Sequence, residues 1–112
     1  MSNNGKTQDG PSAGLALTTA MLSLAWKKAV PSSLAMTGEL SLTGKALPVG
    51  GIREKVVAAR RSQTTTLILP RDNHKDWAEL PEHLTAGINV EFVDDLKRVL
   101  EVAGLRSSAP TA

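Results

Sequence analysis

The sequence predicts an α/β fold, a layered sheet with packed helices, on three observations. Residues 13–28 are apolar nearly all round and read as a buried helix. Residues 64–69 and 88–93 are short β-branched and apolar segments that read as strands. Segments of helical period separate and follow them, so helices and strands alternate. Strands joined through a helix pair in parallel, so part of the sheet is expected to be parallel.

The elements follow in order. Residues 1–8 are polar and expected to be disordered, and residues 9–104 form the domain. The first helix ends near Lys27 and Lys28, cations suited to the negative end of the helix dipole. A connection over 31–33 leads to a strand over 34–42, a turn at Thr43-Gly44-Lys45 and a short strand over 46–49, together a hairpin. Gly50-Gly51 breaks the pattern, and a helix runs over 52–62. The buried strand over 64–69 stops at Pro70, and Asp72 or Asn73 caps a short helix through Trp77 and Leu80. Residues 81–87 read as a loop. In the strand over 88–93, Ile88, Val90 and Phe92 alternate with Asn89 and Glu91. Asp94 caps a last helix through Ala103, Gly104 stops it, and 105–112 is a loose tail.

Composition narrows the function classes. The 112 residues suffice for one small core. Net charge is only +2, basic residues are scattered and there are three aromatic side chains, which argues against nucleic-acid binding. Without cysteine there is no disulfide or thiolate metal site. The longest apolar run contains Thr18, Thr19 and Ser23 and is short for a membrane span, and no signal peptide is expected before it.

Two residues draw chemical interest. Asp9-Gly10-Pro11-Ser12-Ala13-Gly14 sets one serine ahead of the apolar helix. Asp9 or Ser12 can cap that helix, and Pro11 suits a first helical turn. A first turn also offers free N–H groups and the positive dipole end, which stabilise an attacking oxygen or an oxyanion. Ser12 therefore reads as a cap or as a nucleophile. On the helix over 52–62, Ile52, Val56 and Ala59 share one side, and Arg53, Glu54, Arg60 and Arg61 another. Lys55 is the one charge on the apolar flank. It reads as a snorkelling lysine, or as an amine held out of water, where its neutral form is favoured and can serve as the base a serine needs.

Other plans fit less well. Gly10 to Gly14 satisfies G-x-S-x-G, but only polar residues precede it where a hydrolase elbow needs a strand. His74 and His83 stand in a polar helix start and a Pro-rich loop, suit solvated roles and lack metal-ligand spacing. The glycines between 44 and 51 lack the G-K-[ST] ending of a phosphate loop.

Three motifs then combine: Asp9-Gly10-Pro11-Ser12-Ala13-Gly14, Ala35-Met36-Thr37-Gly38-Glu39, and Leu47-Pro48-Val49-Gly50-Gly51-Ile52-Arg53-Glu54-Lys55. In this order they closely resemble the Lon protease proteolytic domain, from about Asp9 to Ala103. Leu40-Ser41-Leu42-Thr43-Gly44-Lys45 resembles its mitochondrial branch. The resemblance implies a serine endopeptidase with a Ser–Lys dyad: Ser12 as nucleophile, Lys55 as general base and Thr37 as the hydroxyl that contacts the lysine. Lys27 and Gln63 stand near helix ends where the family tends to have glycine, and Gln8 where it usually has lysine.

The resemblance further implies unfolded polypeptide substrates, no cofactor or metal in this chain, and ATP and Mg used only by an ATPase module lying outside it. It implies like Lon subunits as partners in a hexameric ring. The opening strands of the family's domain are missing from the sequence, so an N-terminally truncated domain is expected. The compartment implied is the mitochondrial matrix, with no transit peptide expected within these residues; the alternative is cytoplasmic. The rival reading is a catalytically silent truncated copy that only binds full-length subunits.

Overall fold

The computed structural model describes residues 13–106. The elements are β1 (Ala13–Gly14), α1 (Leu15–Trp26), β2 (Leu34–Met36), β3 (Glu39–Leu40), β4 (Ala46–Leu47), α2 (Ile52–Arg61), β5 (Thr66–Pro70), a 3-10 turn (Arg71–Asn73), α3 (His74–Ala78), α4 (Glu82–Thr85), β6 (Asn89–Val93) and α5 (Leu96–Val102). The main sheet has the order β2-β5-β6 and is parallel throughout, Met36 pairing with Ile68, and Ile68 with Glu91. A small antiparallel sheet, β1-β3-β4, stands beside it.

Strand β5 is central because both its faces are apolar. Its side chains alternate between two cores, the period-2 consequence of the pleat. Leu67 and Leu69 pack with Ile52, Val56 and Ala59 of α2, and Trp77, Leu80, Leu84, Val90 and Phe92 join them. Ile68 points to the other side, into a core with Leu15, Leu40, Val93 and Val99. Helices α1 and α5 therefore cover one face of the sheet, and α2, α3 and α4 the other. Leu100, Ala103 and Leu105 extend the first core towards Leu22 and Val30.

Several sequence expectations change. The strand expected over 34–42 is two strands in two different sheets. Gly38 lies between them at φ 134°, and a Cβ there would stand 2.7 Å from Pro70 Cγ and 3.0 Å from Leu15 Cδ1. The chain thus bends at a point where backbone presses on two core side chains. The loop expected over 81–87 contains α4, and the Leu84 and Ala86 carbonyls accept from the Arg60 guanidinium. The last helix is capped by Asp95, which accepts from the Arg98 amide at 3.0 Å, and not by Asp94, which pairs with Arg71. Leu105, expected to begin a loose tail, is buried. Asn73 makes no capping bond.

Helix α1 departs furthest. Only Leu15 and Thr19 are buried, while Leu17 and Met21 are each 62% exposed and Leu24 80%. The helix that composition marks as buried all round has a bare apolar face among the described residues.

Candidate active site

Ser12, with Asp9, lies outside the described residues. The residues that follow it are well fixed. Ala13 and Gly14 pair with Leu40 and Glu39, and the Leu15 amide donates to the Gly38 carbonyl at 3.0 Å. The chain leaving Ser12 is thereby tied to the chain leaving Thr37. Gly14 is the N-cap of α1; the capping reading of Asp9 or Ser12 falls outside the described residues.

Thr37 directly follows β2 and continues its ladder, its amide donating to the Ile68 carbonyl at 3.2 Å. It therefore stands at the carboxyl end of a parallel strand, the side of an α/β sheet where ligand sites form. Lys55 reaches the same region from α2. Its amide donates to the Gly51 carbonyl at 3.0 Å, and Ile52, Val56 and Ala59 form the buried side of the helix next to it. Thr37 and Lys55 line one cavity of about 410 Å³, with Ala35, Ala58, Ser62 and Thr64 among its walls. Among the described residues strand β2 is the sheet edge there, and the cavity is open. Lys55 is exposed, and among the described residues no hydrogen bond or ion pair reaches its ammonium. The sequence reading of an amine held out of water is not met; the lysine shares the cavity while facing solvent.

One residue was missed as a site element. Asn73 is 2% exposed, and its carboxamide binds the Val49 backbone twice: Val49 N–H donates to Oδ1 at 3.0 Å, and Nδ2 donates to the Val49 carbonyl at 2.9 Å. Nδ2 also donates to Asp76 Oδ2 at 2.7 Å. Composition cannot separate this from a cap, since Asn serves both, and the partner lies 24 residues away.

The histidines behave as the sequence suggests. Both are exposed, and His74 stacks edge-on against Phe92, ring centres 5.0 Å apart. Among the described residues no group of His, Cys, Asp or Glu is arranged to hold a metal ion, and no helix is long and apolar enough to cross a membrane.

Residues 3–106 match the Lon protease (S16) C-terminal proteolytic domain. The chain belongs to the Lon protease proteolytic domain family. The mitochondrial Lon protease homolog 1 of Arabidopsis thaliana is 54% identical over 96 residues, covering 86% of this chain and 10% of the relative. The mitochondrial Lon homolog of Drosophila melanogaster is also 54% identical, over 86% of this chain and 9% of its own length. Lon protease 2 of Hydrogenovibrio crunogenus is 53% identical over 105 residues, 91% of this chain and 12% of its own. The chain thus spans about a tenth of these relatives, which include mitochondrial and bacterial proteins. The parallel sheet between helix layers is in keeping with a Lon proteolytic domain.

Proposed function

We propose that this chain carries the peptide-bond chemistry of a Lon-type serine endopeptidase, with Ser12 as nucleophile and Lys55 as general base. The observation that carries the reading is the shared cavity of Thr37 and Lys55, at the carboxyl end of β2, in a chain of the Lon family.

In the proposed reaction, neutral Lys55 Nζ takes the proton of Ser12 Oγ as that oxygen attacks the peptide carbonyl carbon. Backbone N–H groups close to Ser12 receive the developing oxyanion. The C–N bond then breaks, and the leaving amine takes the proton from Lys55, leaving an acyl ester on Ser12. Water attacks that ester and gives its proton to Lys55; the bond between the acyl carbon and Ser12 Oγ breaks, Ser12 Oγ takes the proton from Lys55, and the carboxylic acid product leaves. Thr37 orients the amine. No cofactor is needed for these steps. ATP and Mg would serve a separate ATPase module that unfolds and feeds polypeptide substrates, and like subunits would form the ring. The mitochondrial matrix is the proposed compartment, with the cytoplasm as the alternative.

The test is hydrolysis of a fluorogenic peptide by the purified chain. Ser12→Ala removes the nucleophile, and Lys55→Arg retains charge in a group that stays protonated. Both should abolish turnover. Turnover by either pure variant would overturn the assignment.

A further inference from the structure

We propose that Asn73 is a positioning residue for Lys55: its buried carboxamide holds the Val49 backbone and thereby fixes the start of α2 and the stance of Lys55 one turn later. The catalytic consequence rests on the Ser12–Lys55 reading; the mechanical link does not.

The argument starts from what precedes Lys55. Val49 is followed by two glycines, the residues with the widest backbone freedom. Gly51 adopts φ 71°, is the N-cap of α2 and makes no side-chain capping bond. Left alone, such a helix start has two hinges and no side-chain anchor. Asn73 supplies the anchor just ahead of the hinges. Because its carboxamide meets both the N–H and the C=O of Val49, it fixes orientation as well as distance. Asp76 sets which way round the amide lies. Its carboxylate accepts from Nδ2, and a flipped amide would turn Oδ1 towards that carboxylate and a donor towards the Val49 N–H. The Lys55 amide is bonded to the Gly51 carbonyl, so a shift of residues 49–51 passes straight to the first turn of α2. Displacement of a catalytic group by about 1 Å costs roughly a hundredfold in rate.

The experiment compares Asn73→Ala and Asn73→Asp with Asp95→Ala, a control that loses the α5 cap and keeps all three hydrogen bonds of the Asn73 carboxamide. Asn73→Asp keeps an acceptor for Val49 but loses both donated bonds. Amide hydrogen exchange followed by NMR is the first readout. Both Asn73 variants should exchange the Val49 and Lys55 amides about tenfold faster or more, while Leu67 and Leu69 stay as protected as in the control. Peptide hydrolysis is the second: kcat should fall roughly ten- to a hundredfold with KM nearly unchanged. Unchanged exchange, or a uniform rise across the chain, would overturn the proposal. So would a local rise with unaltered kcat in a preparation whose turnover needs Lys55. If Lys55→Arg keeps its turnover, or turnover is undetectable, the exchange data alone decide whether Asn73 positions Lys55. The dyad reading is then judged separately from that link.

Discussion

The proposed role of Thr37 rests on its hydroxyl alone. Thr37→Val keeps the β-branched shape that suits the end of β2 and removes only the hydroxyl. If that hydroxyl orients Lys55, turnover should fall roughly ten- to a hundredfold, the scale of one supporting hydrogen bond, with the melting temperature nearly unchanged. A thermal melt beside the peptide assay checks both halves. Lys27 and Gln63 pose a different question, because both have positive φ, 56° and 60°. Each sits at a helix end where the next amide reaches back five residues, Lys28 to Ser23 and Thr64 to Ala59. This is the Schellman geometry that favours glycine. The resemblance to Lon pointed to glycine at both places, and the backbone supplies the reason. Lys27→Gly and Gln63→Gly should each stabilise the fold by about 0.5–1 kcal/mol, since relief of left-handed strain exceeds the extra chain entropy of glycine. Urea denaturation measures it. Gly104, at φ 78° with Leu105 bonded back to Leu100, already has the suitable residue.

At the scale of elements, periodicity made most helices and strands legible. A β-branched, apolar run identified β5 and alternation β6, and the apolar spacing of Ile52, Val56 and Ala59 identified α2 together with its buried side. What stayed hidden depended on distant partners. The division between β2 and β3 is set by Pro70 and Leu15 pressing on Gly38, which no local pattern over 34–42 records. Gly38→Ala should therefore destabilise by about 2 kcal/mol or more, combining strain with overpacking. Helix α1 shows the other gap. Composition states that a helix is apolar, not that a neighbour exists to cover it. Leu17, Met21 and Leu24 form an uncovered stripe, and β2 leaves a sheet edge beside α1. Such surfaces associate. Sedimentation should find the chain self-associating, and charged replacements at Leu17, Met21 and Leu24 should shift it towards monomer.

For the whole molecule, one parallel sheet between two helix layers brings Thr37 and Lys55 to a common cavity from residues far apart in sequence. Three motifs made the family and both of these residues legible, because motif order survives without knowledge of packing. The solvent exposure of Lys55 is one of the two readings the sequence left open, a lysine whose stem packs while its ammonium reaches water. The isolated chain should accordingly hydrolyse peptides slowly, well below about 1 per second, the lower end of ordinary enzyme rates. The fluorogenic assay with Ser12→Ala as blank checks this. The central claim, that Ser12 and Lys55 act as one unit, is tested most directly by fluorophosphonate labelling with the modified residue mapped by mass spectrometry. The account predicts label on Ser12, none there in Ser12→Ala, and labelling slowed about a hundredfold or more in Lys55→Arg. Label on a different serine, no label at Ser12, or an equal rate in Lys55→Arg would contradict it.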